Sequence, residues 1–578
     1  MKEIQVNGIR YYTESNGNEC KEDLQIYSEA NGVCVLKLSL DFFGKVPKKY
    51  TLRWEETIPA VCGFWEPMCY FARNISPDWT KRCALSKTAY NAPLAVLFDD
   101  EDNSRLAISL SDVYNGIEIK SGVKEETAQH VFEINFFALG GEPTGKYETW
   151  IRLDRRKLPF VESIQSASHA WREWGCIDAC VPDSAREPVY STWYNFHQAV
   201  DPDEILEELK IARELGFKTV IVDDGWQTDD NSRGYGYCGD WEISKKKIPD
   251  MKKFVDDVHR LGMKFMLWYA VPFVGIYSKR YERFKGKYLY YNEGNKTCGL
   301  DPRFKEIREF LVDLYETAMK TYGYDGFKLD FIDSFYLTKE SPKNYEDMDC
   351  LSVEEGVKKL LLEIGERLKK LNPEVLIEFR QGYFGPGVTS LGNMIRVTDC
   401  PADGLSNRVG SLDLKMILND AATHSDMLLW ERSESVETVA KQLLDILFAV
   451  PQISVKLATL PEEHKRYLTN YLRFRKAHAD TIDFGKLSVK GVRANYSQAS
   501  VESADEKIIV CYNDPAVEVE KNAYVFNATS GNRLYLETGA AEKTLSVYDT
   551  AWKKIEEKKV SGCVVVNVPR CGFVELKR

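Results

Sequence analysis

The chain has 578 residues, more than a single hydrophobic core usually supports, so two or three domains are expected. Hydrophobic residues make up 44% of it and charged residues 29%, which excludes an intrinsically disordered chain. The formal net charge of -11 gives no basic surface for nucleic acid or for an anionic membrane. The aromatic content of 12% suits stacking on sugar rings and packing of a large core equally well.

The N-terminal stretch MKEIQVNGIRYYTES lacks the apolar segment of a signal peptide, and no long apolar run follows elsewhere. The 14 cysteines show no paired C-x-x-C spacing, so we interpret them as mostly free thiols of a reducing compartment. We therefore expect a cytoplasmic protein without a membrane partner. A signal segment removed from the natural chain would reverse this expectation.

Residues 1–165 alternate short apolar and polar runs, separated by Gly, Asn, Asp and Pro. GVCVLKLSLDFF, APLAVLFDD and HVFEINFFAL are typical examples. A hydrophobic period of two predicts strands that bury one face. The sequence therefore predicts an N-terminal antiparallel β-sandwich over residues 1–165.

Residues 185–482 follow another pattern, in which apolar strands alternate with charged amphipathic helices. About eight units can be counted from PVYSTWYN to QISVKL, with DMLLWE as the seventh strand. This alternation predicts a parallel sheet, and eight units fit a closed (β/α)8 TIM barrel. A doubly wound open sheet is the competing architecture, because counting units does not show closure. Polar residues at the ends of several successive strands favour the barrel, since barrel active sites lie there.

Residues 483–578 return to short strands such as KIIVCYN, YVFNA and GCVVVNV. They follow a strongly amphipathic helix, EEHKRYLTNYLRFRKAHADTI. We predict a small C-terminal β-domain, so that the expected order is β-sandwich, TIM barrel and β-domain.

Charged side chains stand at the ends of three predicted barrel strands. They are Asp223 and Asp224 in VDDGW, Lys328 and Asp330 in FKLDF, and Arg396, Asp399 and Asp403 in IRVTDCPAD. Two converging carboxylates suit glycoside hydrolysis, in which one attacks or stabilises the anomeric carbon and the other delivers a proton. Helix capping and pairing with lysine are the structural alternatives. Metal binding is less favoured, because the chain has 7 His without His-x-His spacing.

In chain order, several of these stretches resemble glycoside hydrolase family 36, the α-galactosidases and related raffinose-metabolising enzymes. The matching stretches are PVYSTWYNF, VDDGWQ, GDWEISKKKIPDMKKFVDDVHRLGMKFMLW, LDPRFKEIREFL, FKLDF, RVTD and LATLPEEHKRYLTNYLRFRKAHADTI. Each motif alone is weak, but together they cover most of the barrel. The resemblance also fits a large N-terminal β-sandwich and a small C-terminal β-domain.

The resemblance implies roles for individual residues. Asp330 would be the nucleophile and Asp399 the general acid/base, with Asp403 as the second candidate for the proton donor. Lys328, two residues before Asp330 on the same strand face, would bind sugar hydroxyls and help to keep Asp330 ionised. Of the other two acids near Asp330, Asp325 would cap the start of the strand and Asp333 would line the rim of the site.

Further residues would form the substrate pocket. Those implied to contact the sugar are Asp223, Asp224, Trp193, Trp226, Trp268, Arg380 and Arg396. Two stretches depart from the family pattern: WYAVPFVG replaces an acidic Glu-Pro-Glu stretch, and EFRQGYFGPG replaces a Cys- and Gly-rich loop. Arg380 could accept an acidic sugar or could pair with Glu378, so both interpretations stay open.

The resemblance implies a retaining α-galactosidase that hydrolyses small oligosaccharides by double displacement and needs no cofactor. The sequence leaves three alternatives: a transglycosylase of the raffinose-synthase type, an α-glycosidase for another sugar, neutral or charged, and a carbohydrate-binding protein without activity. The expected partner is an oligosaccharide or glycoside. Family members often form homo-oligomers, so self-association is also compatible with the sequence.

Overall fold

Two six-stranded antiparallel sheets form the N-terminal part of the protein. The computed structural model describes residues 2–6, 8–141, 144–344, 346–418 and 420–578. The strands of this part are β1 (Lys2–Val6), β2 (Ile9–Glu14), β3 (Lys21–Ala30), β4 (Val33–Lys45), β5 (Tyr50–Glu56), β6 (Gly63–Trp65), β7 (Arg82–Ser86), β8 (Leu94–Phe98), β9 (Ser104–Leu110), β10 (Ile117–Val123), β11 (His130–Phe136) and β12 (Thr144–Asp154). The sheets have the orders β1-β2-β5-β11-β10-β7 and β3-β4-β12-β9-β8-β6. Buried and exposed side chains alternate along β4, as the period of two predicts.

A parallel sheet of eight strands forms the middle of the chain. The strands of this part are β13 (Val189–Ser191), β14 (Thr219–Val222), β15 (Lys264–Ala270), β16 (Phe273–Gly275), β17 (Tyr288–Asn292), β18 (Thr297–Leu300), β19 (Gly326–Asp330), β20 (Leu376–Arg380), β21 (Met394–Arg396), β22 (Ala422–His424) and β23 (Gln452–Ile453). The eight barrel strands are β13, β14, β15, β19, β20, β21, β22 and β23. From β13 to β22 each strand pairs with the next of them along the chain, and β23 pairs with β13. A parallel bridge between His424 and Val450 brings the remaining edges together. The predicted (β/α)8 barrel is confirmed, and an open doubly wound sheet is excluded.

Helices surround this sheet and connect its strands. They are α1 (Phe160–Glu173), α2 (Trp193–Phe196), α3 (Pro202–Leu215), α4 (Met251–Arg260), α5 (Arg280–Arg283), α6 (Lys305–Tyr322), α7 (Val353–Leu371), α8 (Gly404–Ile417), α9 (Val436–Asp445), α10 (Glu462–Ala477) and α11 (Ala479–Phe484). Local sequence sets the helix ends: the Asp201 side chain accepts hydrogen bonds from the first turn of α3, and Gly216 ends that helix with a φ of 111°. None of the helices in the described ranges is long and apolar enough to cross a membrane.

The seventh barrel strand differs from the prediction. DMLLWE was expected to form it, whereas the structure forms β22 from the preceding residues Ala422–His424. Met427, Leu428 and Trp430 are buried, but they lie in the loop that follows β22. The apolar run is therefore explained by a buried loop at the mouth of the barrel, and it does not form a strand.

Ten strands in two sheets form the C-terminal part. They are β24 (Lys486–Lys490), β25 (Gln498–Glu502), β26 (Glu506–Cys511), β27 (Ala516–Glu518), β28 (Asn522–Asn527), β29 (Arg533–Glu537), β30 (Lys543–Tyr548), β31 (Lys554–Val560), β32 (Cys563–Asn567) and β33 (Phe573–Lys577). The sheet orders are β24-β25-β26-β28-β33-β30-β31 and β27-β29-β32. The expected β-sandwich and β-domain thus flank the barrel, while the domain limits at 165, 185 and 482 stay predictions.

Candidate active site

Asp330, the predicted nucleophile, ends β19 at the C-terminal mouth of the barrel. Its side chain is only 9% exposed. Oδ1 accepts hydrogen bonds from the backbone N–H of Phe331 at 2.9 Å, from Nε of Arg380 at 3.0 Å and from the Tyr383 hydroxyl. Oδ2 accepts one from Nε1 of Trp268 at 3.0 Å. The carboxylate is therefore held in one orientation.

These neighbours also set the charge of Asp330. Burial raises the pKa of its carboxyl, because water no longer solvates the negative charge. The positive charges of Arg380 and Lys328 and the hydrogen bonds from Tyr383 and Trp268 together lower this pKa by more than burial raises it. The pKa of Asp330 consequently lies well below its usual range, so the side chain is ionised near neutral pH.

Lys328 lies two residues before Asp330 on the inward face of β19, as the sequence predicts. Its ammonium group donates to Oδ2 of Asp223 at 2.5 Å, and both side chains are buried. Burial lowers the pKa of Lys328, but the carboxylates of Asp223, Asp330 and Glu378 together raise it above its usual value, so the ammonium stays charged. This ion pair places a cation and an anion side by side in the barrel mouth.

Asp224, the second acid of the pair after β14, has neutral partners. Nε2 of Gln227 donates to its Oδ1, and Nε2 of Gln198 donates to its Oδ2, both at 2.6 Å. Burial raises the pKa of Asp224 to about 6 in spite of these two hydrogen bonds. Asp224 therefore changes charge near pH 6.

Trp268 and Trp226, two of the predicted pocket residues, occupy different positions. Trp268 contacts Asp330 through its indole nitrogen. Trp226 is 1% exposed, packs against Trp241 at a centroid distance of 5.9 Å, and donates from Nε1 to the backbone oxygen of Trp268 at 2.9 Å. Trp226 thus contacts the backbone of Trp268, and its place in a wall of the pocket stays a prediction.

Two further aromatic residues lie near the barrel mouth. Trp193, predicted from the first-strand motif, begins α2 directly after β13 and packs edge to face on His197, with centroids 4.9 Å apart. Tyr235, which the sequence analysis did not identify, stacks on Trp268 at 6.1 Å. Burial raises the pKa of the Tyr235 hydroxyl, and the negative charge of Asp330 raises it further. The hydroxyl of Tyr235 is therefore neutral near neutral pH.

Arg396, at the end of β21, holds the predicted acid/base. Its Nη2 lies 2.9 Å from Oδ1 of Asp399, and its Nη1 contacts the buried Asp426 carboxylate. Burial raises the pKa of Asp399, but the positive charges of Arg396, Lys328 and Arg380 together bring this pKa below the usual value. The Asp399 side chain is 50% exposed, in contrast with Asp330. Arg396 is itself buried, and its guanidinium holds the more exposed carboxylate of Asp399 in position.

Asp403, the second candidate for the proton donor, has a structural partner. Its Oδ1 accepts a hydrogen bond from the backbone N–H of Ser406 at 3.0 Å, which makes it the N-cap of α8. The residue is exposed. This position favours Asp399 as the residue that faces the barrel mouth.

The structure also decides the partner of Arg380. The sequence left open a pair with Glu378, but Arg380 is bonded to Asp330. Glu378 accepts a hydrogen bond from Nε2 of Gln452 at 2.5 Å and lies 3.5 Å from Nε of Arg396. The pairing of Arg380 with Glu378 is therefore wrong, and the charge of Arg380 is balanced by the predicted nucleophile.

Three residues of the site were missed by the sequence analysis: Tyr383, Tyr235 and Asp426. Tyr383 follows β20 in the loop EFRQGYFGPG, and Asp426 lies in DMLLWE, which was interpreted as a strand. Asp426 accepts hydrogen bonds from the Tyr194 hydroxyl at 2.9 Å and the Cys400 backbone at 2.7 Å. The departure of the fifth-strand loop from the family pattern was the available signal for Tyr383.

Within the described ranges, no group of three or more His, Cys, Asp or Glu side chains is placed to hold a metal ion. The charged groups at the barrel mouth are instead paired with one another. Asp223 pairs with Lys328, Asp330 with Arg380, and Asp399 with Arg396. The arrangement can supply one fixed carboxylate, one accessible carboxylate and hydrogen-bonding groups for hydroxyls.

Known proteins resemble this chain in sequence. Residues 162–309 match the melibiase family model. The α-galactosidase Mel36A of Lactobacillus acidophilus is 28% identical over 217 residues, which cover 35% of this chain and 28% of that protein. An A type blood α-D-galactosamine galactosaminidase of Flavonifractor plautii is 27% identical over 171 residues, which cover 26% of this chain and 15% of that protein. The alignments thus span less than a third of these relatives.

Solved structures share the fold over a larger part of the chain. The GH36 α-galactosidase AgaA of Geobacillus stearothermophilus, in complex with stachyose, has a TM-score of 0.68 at 14% identity and covers 99% of this chain and 84% of its own. The Thermus thermophilus α-galactosidase TtGalA has a TM-score of 0.55 at 17% identity, with coverages of 82% and 99%. By the family match and the curated relatives, the chain is similar to melibiases and α-galactosidases, and it shares the fold of solved α-galactosidases of glycoside hydrolase family 36.

Proposed function

We propose that this protein is a retaining α-galactosidase that removes terminal α-galactosyl units from small oligosaccharides. The observation that carries the proposal is the ionised, oriented carboxylate of Asp330 at the mouth of the barrel. The accessible carboxylate of Asp399, two strands further on, supplies the second group that this chemistry needs. The names of the sequence relatives support galactose or a derivative as the sugar.

In the first step, Asp399 gives a proton to the glycosidic oxygen while Asp330 attacks the anomeric carbon and forms a glycosyl ester. Asp399 has to be protonated for this, although its pKa is lowered by Arg396 in the free protein. Because its side chain is half exposed, a bound sugar would remove water from it and raise its pKa. Substrate binding thus favours the acid form.

In the second step, Asp399 takes a proton from water, which attacks the anomeric carbon and releases Asp330. The negative charge of Asp330 raises the pKa of Asp399. This influence disappears when Asp330 is esterified, so the pKa of Asp399 falls. Its carboxylate form is then favoured at the point where it must act as a base. The charge change at Asp330 therefore shifts the pKa of Asp399 in the direction that double displacement requires.

Other groups suit recognition of sugar hydroxyls. Lys328 and Asp223 offer a donor and an acceptor next to each other, and Asp224 offers an acceptor held by two amides. Trp268 offers an aromatic wall beside Asp330. We assign these side chains to the galactosyl subsite, with Trp193 at its edge.

The alternatives have different support. Transglycosylation would use the same residues, so the acceptor decides between the two reactions. A charged sugar is less favoured, because the guanidinium of Arg380 is already paired with Asp330. A binding protein without activity would not need the low pKa of Asp330, so hydrolysis is preferred.

Azide rescue tests this proposal. Asp399→Ala should lose at least about a hundredfold in kcat/KM on an unactivated α-galactoside, because general acid catalysis is removed. On a nitrophenyl α-galactoside, azide should restore turnover and yield an α-galactosyl azide, since azide needs no general base. Asp403→Ala is the matched control, and it should keep its activity because Asp403 caps α8. Rescue of Asp403→Ala, or full activity of Asp399→Ala, would contradict the assignment.

A further inference from the structure

The two oxygens of the Asp330 carboxylate have different surroundings. Oδ1 accepts from the Phe331 backbone, Nε of Arg380 and the Tyr383 hydroxyl, whereas Oδ2 accepts from Trp268. A carboxylate oxygen has two lone pairs, so the three donors occupy all the acceptor capacity of Oδ1. Among the contacts of the described residues, only Oδ2 keeps a lone pair that is not engaged.

We propose that Oδ2 is the atom that attacks the sugar, and that Arg380 and Tyr383 are positioning residues that speed release of the sugar from Asp330. This inference rests on the proposed retaining function and adds to it a division of labour between the two oxygens. Neither Arg380 nor Tyr383 was assigned such a role from the sequence, and Tyr383 was not identified at all. Their effect is exerted through Asp330 and not through contact with the substrate.

The electron movements of the two steps follow from this division. A lone pair of Oδ2 forms the bond to the anomeric carbon, while the glycosidic bond breaks and its pair goes to the leaving oxygen, which takes the proton of Asp399. Oδ1 then becomes the carbonyl oxygen of the ester. In the second step, water bonds to the anomeric carbon and passes a proton to Asp399. The electron pair of the bond to Oδ2 returns to Asp330, whose negative charge is restored.

Hydrogen bonds to Oδ1 affect the two steps in opposite directions. Hydrogen bonds to an ionised acceptor are stronger than those to a neutral one. The bonds from Arg380 and Tyr383 therefore weaken as the ester forms and strengthen as it breaks. They stabilise the transition state of release relative to the ester, and they make Asp330 a better leaving group.

The donors are held in place by their surroundings. Tyr383 is fully buried, and burial raises the pKa of its hydroxyl well above the usual value, so it stays a donor. Its ring packs on Phe379 at a centroid distance of 5.9 Å. The guanidinium of Arg380 lies over the rings of Phe331 at 5.3 Å and Tyr383 at 5.1 Å. These contacts fix both donors before a sugar binds.

Tyr383→Phe tests the inference, because it removes one donor and keeps the ring. On a dinitrophenyl α-galactoside, whose good leaving group makes release the slow step, kcat should fall about tenfold, the loss expected for one charge-assisted hydrogen bond. KM should fall by at least the same factor, so kcat/KM should not fall, and intact-mass analysis should find the glycosyl-enzyme during turnover. Enzyme labelled with a 2-fluoro galactosyl fluoride should regain activity about tenfold more slowly than the labelled wild type.

Tyr290→Phe is the matched control, since the hydroxyl of Tyr290 is buried nearby but donates to the Ser334 backbone at 2.7 Å. It should reactivate at the wild-type rate. Arg380→Lys keeps the charge and loses the Nε contact, and it decides the question if Tyr383→Phe does not fold by circular dichroism. Reactivation at the wild-type rate or faster in the folded variants would overturn this inference alone. A wild-type protein that neither hydrolyses galactosides nor becomes labelled would instead refute the proposed function.

Discussion

Asp330 and Glu66 are both buried carboxylates, but their neighbours give them opposite charge states. Asp330 lies beside Arg380, whose positive charge keeps it ionised. Glu66 accepts hydrogen bonds from the neutral donors Met68 N–H at 2.9 Å and Asn91 Nδ2 at 2.8 Å. Burial therefore dominates at Glu66 and raises its pKa from 4.5 to about 7. The adjacent cation thus distinguishes Asp330 from Glu66.

This difference predicts how stability depends on pH. Because the pKa of Glu66 is higher in the folded protein, its contribution is complete below pH 4.5 and is lost as pH rises through about 7. The displacement corresponds to roughly 3 kcal/mol. In Glu66→Gln, the amide oxygen accepts both hydrogen bonds and does not ionise. We expect equal stability near pH 4 and a more stable variant by roughly this amount near pH 8, as measured by urea unfolding. An unchanged pH dependence would contradict this.

Sequence analysis could find those residues of the site that belong to strands. Lys328 and Asp330 were identified because strand alternation places them on one face at the C-terminal end of β19. Tyr383 and Asp426 could not be identified, because they reach the site from loops whose path depends on tertiary packing. Trp226 stands next to the acid pair in sequence, and its hydrogen bond to the Trp268 backbone is a tertiary contact that sequence spacing does not show.

At the scale of elements, the barrel was predictable because hydrophobic period and length differ between its strands and helices. The short strands were the exception. β22 has three residues, and the apolar run after it is longer and more hydrophobic than the strand itself. Periodicity cannot separate a buried loop from a buried strand of this length. Asp426 was missed for the same reason, because it begins this apolar run. It contacts Arg396, the arginine that holds Asp399.

At the scale of the whole molecule, one buried cluster joins all three parts of the chain. Asp413 of α8 accepts hydrogen bonds from Nη2 of Arg73 at 3.3 Å and from Nε1 of Trp65 at 3.1 Å, both from the N-terminal part. The hydroxyl of Tyr496, from the C-terminal part, contacts the same carboxylate. Arg73 also donates to the backbone oxygen of Val492 at 2.7 Å. The N-terminal and C-terminal parts therefore both bond to the same buried carboxylate of the barrel.

Asp413→Ala should destabilise the whole protein. It leaves the guanidinium of Arg73 buried without its carboxylate, which typically costs about 3–5 kcal/mol. The control is Glu19→Ala, which removes an exposed ion pair with Lys45 and should cause no measurable change. Thermal and urea unfolding report both variants. Equal stability of Asp413→Ala and the wild type would show that the three parts do not depend on this junction.

The central claim is that Asp330 is the nucleophile of a retaining α-galactosidase. Incubation with a 2-fluoro galactosyl fluoride, followed by proteolysis and mass spectrometry, tests the sugar, the covalent chemistry and the residue together. We expect one galactosyl adduct, on the peptide that contains Asp330, with loss of activity in step with labelling. An adduct on a peptide that contains Asp223 or Asp399 instead, or galactoside hydrolysis without any adduct and with inversion, would contradict the claim.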